Sequence, residues 1–140
     1  MRHNLQMVIL CFIAAITIGC TCCIADDSEN MLPLASALTK LSASVESTVR
    51  YKNPPAGISD ADLLILSTQH DSRILEPFSD YTVRVLNQDR HAVVLVCNKE
   101  GKYGLLEDAG CSPEIDKHLW KKQPPVPCLF SLSPSTVCNQ

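Results

Sequence analysis

The stretch Tyr81–Cys111, YTVRVLNQDRHAVVLVCNKEGKYGLLEDAGC, predicts three β-strands joined by two short polar turns. Its centre, Ala92–Cys97, is an uninterrupted, largely β-branched apolar run, which is typical of a strand covered on both faces. Before this run, apolar and polar residues alternate from Tyr81 to Val85, as expected of a strand with one wet face. Tyr103–Glu107 returns as the third strand. The pattern predicts an antiparallel meander, with Gly101 able to adopt the positive φ of a short turn.

Two predicted helices precede the meander and can cover it. Aliphatic residues recur at steps of three and four, which indicates an amphipathic helix whose apolar face packs on the sheet; they are Leu34, Leu38, Leu41, Val45 and Val49. Asn53–Gly57 contains two prolines and ends this helix. Ser59 begins a capping-box-like start for a second helix, Asp60–Gln69, and Asp71 can cap one further turn that ends at Pro77. The sequence therefore predicts an α+β fold.

Length and charge limit the organisation of the chain. Its 140 residues fit one domain, and a net charge of −3 gives no basic surface for nucleic acid. Residues 1–25 have the features of a secretory signal peptide: a basic start, an apolar core at Met7–Ile18 and small residues before Asp26. We expect cleavage after Ala25, which leaves a single domain over residues 26–140. The apolar core is shorter than the roughly 20 residues of a membrane span, so we expect none in the mature chain.

A second interpretation of the leader remains open. Thr17–Cys20 resembles the bacterial lipobox, in which a small residue precedes a cysteine that is lipidated and becomes the first residue. Thr17 departs from the aliphatic residue that this motif prefers three places before the cysteine. Under this alternative the mature chain begins at Cys20 and is held to a membrane by lipid.

Cleavage after Ala25 leaves four cysteines, Cys97, Cys111, Cys128 and Cys138. An even number in an exported chain predicts two disulfides, and the absence of a C-x-x-C pair disfavours a four-cysteine zinc site. After Cys111 we predict a short helix from Ser112 to Trp120 and a fourth, edge-type strand at Cys128–Leu132. If that strand runs antiparallel to the third, the expected pairs are Cys111–Cys128 and Cys97–Cys138.

No motif in the chain predicts a catalytic, cofactor or metal site. The three histidines beyond the leader, His70, His91 and His118, have no ligand spacing, and no serine lies in a G-x-S-x-G motif. Glu107 and Asp108 are neighbours in a strand, so we expect their carboxylates on opposite faces, where they cannot act as an acid/base pair.

One cluster suggests binding. It consists of Lys117, His118, Trp120, Lys121 and Lys122, and it contains the only tryptophan of the chain. Tryptophan and cationic residues are enriched at interface hot spots, although Trp120 could instead plug the end of the core.

The expected function is that of a small exported, non-catalytic module, periplasmic or secreted, that binds another protein. Such a module could be an envelope assembly factor, an inhibitor or an effector-like ligand. Two alternatives are a lipid-anchored structural component of a bacterial envelope complex, held at Cys20, and a small envelope hydrolase. The hydrolase would need a perturbed carboxylate or histidine in a cleft.

Overall fold

The structure is a computed structural model that describes residues 28–112 and 114–139. The signal peptide, its cleavage after Ala25 and the lipidation of Cys20 are predictions that lie outside the described residues. Within the described residues, no helix combines the length and the apolar character that a bilayer crossing requires.

Helix α1, Ser28–Tyr51, carries the apolar face that the sequence predicts. Leu34, Leu38, Leu41, Val45 and Val49 are all buried in the main core. Because α1 begins at Ser28, Pro33 lies inside the helix and not in its first turn, where the sequence pattern placed it and where a missing backbone N–H costs little. The amphipathic periodicity thus describes the packing of α1 correctly.

The second helix and the turn after it are also confirmed. Helix α2, Asp60–Thr68, has Ser59 as its N-cap, with the Ser59 hydroxyl accepting from the backbone N–H of Asp62 at 3.1 Å. Asp71 caps a 3₁₀ helix over Ser72–Phe78 by accepting from the backbone N–H of Arg73. This 3₁₀ helix is longer than the single turn predicted and includes Pro77.

Four antiparallel strands form one sheet in the order β1-β2-β3-β4. Their bounds are Thr82–Gln88, His91–Cys97, Gly104–Ala109 and Asp116–His118. Asp89 and Arg90 alone form the first turn, with φ of 54° and 64°, as a two-residue type I′ turn requires. In the second turn Gly101 has φ of 67°. The Asn98 side-chain oxygen accepts there from the N–H groups of Lys102 and Tyr103.

Both faces of β2 are covered, as its continuous apolar run predicts. Ala92, Val94 and Val96 face the helices in the main core. Val93 and Leu95 face the other way and pack under the C-terminal segment, which we define as residues 126–139. This segment includes a short helix α3, Pro134–Val137. The sheet is therefore the middle of three layers.

The predicted structure of residues 112–132 is wrong in two places. The fourth strand is Asp116–His118, within the stretch predicted as a helix, and Leu119–Lys121 continues it as a 3₁₀ helix. Cys128–Leu132 forms no named strand, and Tyr103 makes an isolated bridge with Pro127 just before it. The predicted helix was too short to be stable alone, whereas the open edge of β3 offers its unpaired N–H and C=O groups to the chain.

The predicted disulfide pairing is also wrong. The bonds are Cys97–Cys128 and Cys111–Cys138, with Cα–Cα distances of 5.7 Å and 5.6 Å. Cys128 donates its backbone N–H to the carbonyl of Lys102, close to where Gly104 pairs with Cys97 across the sheet. The C-terminal segment therefore arrives at the Cys97 end of β3 and crosses the sheet to reach the Cys111 end.

Candidate protein-binding groove

A groove of about 400 Å³ lies at the end of the sheet that carries the β2–β3 turn. Its walls come from the start of α1, from the ends of the strands, and from residues 119–125. The side chains of Tyr81, Tyr103, Trp120 and Lys122 line it, together with the amides of Asn98 and Gln123. We call this feature the Trp120 groove.

Gly104 allows the wall to approach the sheet closely. A Cβ atom at this position would lie 3.0 Å from Cδ1 of Leu119 and 3.3 Å from the carbonyl oxygen of Pro127. Leu119 is buried over β2 and β3 next to Cys97 and Cys128. The 3₁₀ helix that carries Trp120 is thus held against β3 by close packing and by the neighbouring disulfide.

Trp120 is both a core residue and a groove residue. Its partly buried ring packs against the main core, and it also lines the groove. The His118 ring lies against it with centroids 4.4 Å apart. The indole Nε1 is buried and has no hydrogen-bond partner among the described residues. The Trp120 side chain can therefore both pack against the core and contact a binding partner, so the two interpretations of this residue do not exclude each other.

The lysines of the predicted cluster divide between two sites. Lys121 Nζ lies 5.2 Å from the centroid of the Trp120 ring, and Lys122 lines the groove. Both are exposed, and neither has a carboxylate within ion-pair distance among the residues described. Lys117 points to the opposite face of β4, where its Nζ is 3.2 Å from the Ser131 hydroxyl. The structure thus brings four of the five predicted residues close to the Trp120 groove, and Lys117 shares a neighbouring pocket with His118 and Lys122.

Sequence reasoning missed the aromatic residues on the far side of the groove. Tyr81 precedes β1 and Tyr103 precedes β3, and Tyr103 is 47% exposed. In an antiparallel meander the first and third strands start at the same end of the sheet, so these two tyrosines share an end. That topology was available from the sequence. The position of Trp120 beside them depended on β4, which the sequence interpretation missed.

The carboxylates that a hydrolase could use lie elsewhere, on the two faces of β3. Asp108 faces α1, where it accepts a hydrogen bond from the Ser42 hydroxyl. Burial raises the pKa of Asp108 to about 6, the Ser42 hydrogen bond opposes this increase, and the charge of Asp116 adds to it. Glu107 faces the C-terminal segment and accepts from the backbone N–H groups of Ser131 and Leu132 at 2.8 and 2.9 Å. The two carboxylates therefore do not share a site.

Comparisons of the chain with models of protein families, with curated proteins and with solved structures find no match. The chemistry and geometry of the chain's own residues therefore carry the functional argument.

Proposed function

We propose that the protein is an exported, non-catalytic module that binds another protein through the Trp120 groove. The observation that carries this proposal is a groove lined by three aromatic rings and Lys122, with Lys121 beside the Trp120 ring. Both lysines are exposed, and neither forms an ion pair with another described residue. Aromatic residues bury a large area at little entropic cost and dominate interface hot spots. The groove is also within the size range of natural ligand pockets.

The charges around the groove indicate the chemistry of the partner. Lys121 and Lys122 are solvated and unpaired among the described residues, so a carboxylate brought next to them gains a favourable interaction without breaking an existing pair. We therefore infer a partner segment with an apolar or aromatic anchor, which enters between Tyr103 and Trp120, and with an acidic residue beside that anchor.

The two disulfides support an exported location. Disulfides persist in oxidising compartments such as the periplasm and the extracellular space, and small exported domains depend on them. We place the protein in one of these compartments. The intact mass of the exported chain distinguishes cleavage after Ala25 from lipidation at Cys20.

The test begins with crosslinking in the exported compartment and identification of the partner by mass spectrometry, followed by affinity measurement with the purified partner. The Lys121→Glu/Lys122→Glu variant removes the basic side of the groove without touching the core. We expect it to weaken binding about 10- to 30-fold, which corresponds to about 1.4 to 2 kcal/mol. Trp120→Ala should weaken binding at least as much, and circular dichroism must show that it remains folded.

The matched control is Lys40→Glu/Lys52→Glu, which makes the same change in net charge at two exposed positions outside the groove. It should leave the affinity nearly unchanged. Equal losses in the two double variants would mean that net charge, and not the Trp120 groove, governs binding, and the proposal would be wrong.

A further inference from the structure

A cluster of metal-ligating groups lies at the opposite end of the sheet from the Trp120 groove. Glu46 of α1, His91 at the start of β2 and Cys138 after α3 offer a carboxylate oxygen, an imidazole nitrogen and a sulfur. These three atoms all lie within 4.8 Å of one another. They come from three separate elements, so only the tertiary structure brings them together.

The Glu46 and His91 side chains are buried and already oriented. Glu46 is 5% exposed, and its Oε2 accepts from the backbone N–H of Ala92 at 2.8 Å. Its other oxygen, Oε1, lies 2.6 Å from Nδ1 of His91, whose side chain is 12% exposed. A hydrogen bond that holds a ligating carboxylate in place is typical of the surroundings of protein metal sites.

The end of β3 also approaches α1 closely beside Glu46. A Cβ atom at Gly110 would lie 2.6 Å from Cβ of Glu46 and 2.1 Å from the carbonyl oxygen of Ser42. Only a glycine lets β3 end this near to α1. The adjacent residue is Cys111, the disulfide partner of Cys138, so a second sulfur lies one bond away from the cluster.

We propose that reduction of the Cys111–Cys138 disulfide converts this cluster into a Zn²⁺ site. The ligands are the two thiolates, the His91 imidazole and the Glu46 carboxylate. Cysteine, histidine and carboxylate groups are the preferred ligands of Zn²⁺, and four of them complete a tetrahedral structural site. This inference goes beyond the proposed protein-binding function and does not depend on it.

The reaction balances with a dithiol as the reductant. Two electrons and two protons pass from the dithiol to Cys111 and Cys138, the S–S bond breaks, and the dithiol becomes a disulfide. Zn²⁺ then displaces the two thiol protons to the solvent as its bonds to sulfur form. In the oxidised chain Cys138 has no thiolate to offer, so the disulfide and the metal exclude each other.

The distances are compatible with this coordination. Bonds of about 2.0–2.3 Å from Zn²⁺ to N, O and S ligands place tetrahedral ligand atoms about 3.3–3.8 Å apart. The three atoms of the cluster lie up to 4.8 Å apart, while Glu46 Oε1 and His91 Nδ1 are 2.6 Å apart, so the sulfur must approach and these two atoms must separate by about 1 Å each. The Cys111 sulfur is not one of these three atoms, and side-chain rotation at Cys111 and Cys138 can bring the two sulfurs into place once the S–S bond is broken.

The other disulfide provides an internal contrast. Cys97 and Cys128 lie in an apolar cluster with Leu95 and Leu119. Among the described residues, no group of ligating side chains includes either of these cysteines. Reduction of Cys97–Cys128 therefore exposes two thiols without a histidine or carboxylate partner.

The experiment compares two variants that each retain one disulfide, purified as the exported chain. Cys97→Ser/Cys128→Ser retains the proposed site, and Cys111→Ser/Cys138→Ser removes it; any other thiols are common to both. Each variant is titrated with Co²⁺ and then Zn²⁺, before and after reduction by a phosphine reagent. We expect one equivalent of metal, with a thiolate-to-cobalt charge-transfer band, only in the reduced Cys97→Ser/Cys128→Ser variant.

Substitution of the non-sulfur ligands tests whether the whole cluster is used. In the Cys97→Ser/Cys128→Ser background, His91→Gln and Glu46→Gln should each weaken Zn²⁺ binding at least about tenfold. Circular dichroism monitors folding, and Zn²⁺ should raise the Tm of the reduced variant but not of the oxidised one. The proposal is overturned by equal binding in the two double variants, by no effect of His91→Gln, or by a reduced chain that stays unfolded with Zn²⁺.

Discussion

The two faces of the sheet are covered in different ways. On one face lies α1, a helix of 24 residues whose aliphatic face is buried in the main core together with residues of β2 and β3. On the other face lies the C-terminal segment, which is mostly irregular and ends in a helix of 4 residues. The segment is joined to the sheet by Cys97–Cys128 and Cys111–Cys138.

The difference follows from where α1 and the C-terminal segment find hydrogen-bond partners for their backbone groups. A helix satisfies its own N–H and C=O groups, so it needs only an apolar face to pack on a sheet. An irregular segment has no such internal partners and must find them in the layer beneath. Here the carboxylate of Glu107 accepts two backbone N–H groups and the Ser131 hydroxyl. The two disulfides then add to the apolar contact of the C-terminal segment with the sheet, which is smaller than that of α1.

The same contrast applies to the two neighbouring carboxylates of β3. Glu107 accepts three hydrogen bonds and anchors the C-terminal segment. Asp108, on the helix side, accepts one side-chain hydrogen bond from Ser42 and lies opposite Asp116 in the register of β3 and β4. Like charges at directly opposed positions of a sheet repel each other. The charge of Asp108 therefore destabilises the fold, whereas the carboxylate of Glu107 stabilises it.

The largest expected effect is the loss of apolar packing under α1. Leu41 is fully buried, so Leu41→Ala should lower the free energy of unfolding by about 4 kcal/mol. Leu132 of the C-terminal segment packs on Val93 and Ala109 and is 9% exposed, so Leu132→Ala should cost only about 2 kcal/mol because its site is nearer to solvent. Urea denaturation with the disulfides intact measures both. A greater loss at Leu132 would show that the C-terminal segment, and not α1, provides the dominant core.

Glu107→Ala should be nearly as damaging, with a loss of about 3 kcal/mol. It leaves the buried N–H group of Leu132 and the partly buried N–H group of Ser131 without their acceptor. Glu107→Gln is the matched control, since its amide oxygen can still accept from both groups, and it should cost about 1 kcal/mol. Hydrogen exchange at Leu132 should accelerate in Glu107→Ala alone. Unchanged exchange would mean that the disulfides suffice to hold the segment.

The smallest effect is a pH dependence from Asp108. The pKa of Asp108 is raised from 3.8 to about 6 in the folded chain. Between these values the folded chain binds a proton that the unfolded chain has lost, so stability from this group is present below about pH 4 and decreases as pH rises to about 6. A shift of this size corresponds to at most about 3 kcal/mol, and partial solvation of the carboxyl makes the measured decrease smaller.

Asp108→Asn should remove this decrease, which is measured as the difference between its stability and that of the wild-type chain in urea titrations across this range. Ser42→Ala removes the hydrogen bond that lowers the pKa of Asp108, so in this variant the decrease should extend to higher pH. A difference curve for Asp108→Asn that is flat across the range would contradict the role assigned to Asp108.

Sequence reasoning was more accurate for α1 than for the chain after Cys111, and the reason is physical. The period of α1 and the cap at Ser59 are local signals, and both describe the structure correctly. The alternation expected of β1 is seen only in part, because Leu86 and Arg84 on its second face contact the C-terminal segment. The predicted helix over Ser112–Trp120 does not form: the Ser112 hydroxyl accepts only weakly from the backbone N–H of Glu114, and the chain pairs with β3 from Asp116. The secondary structure of such a short segment is decided by the hydrogen-bond partners that neighbouring elements provide.

The sequence alone was enough to predict the first two helices and the meander that begins at Tyr81, because periodicity and turn chemistry act within a few residues of the chain. Only the tertiary structure decided the disulfide pairing, the meeting of Trp120 with Tyr81 and Tyr103, and the approach of Glu46 to His91. These contacts join residues far apart in sequence, and they depend on which end of β3 the C-terminal chain reaches first.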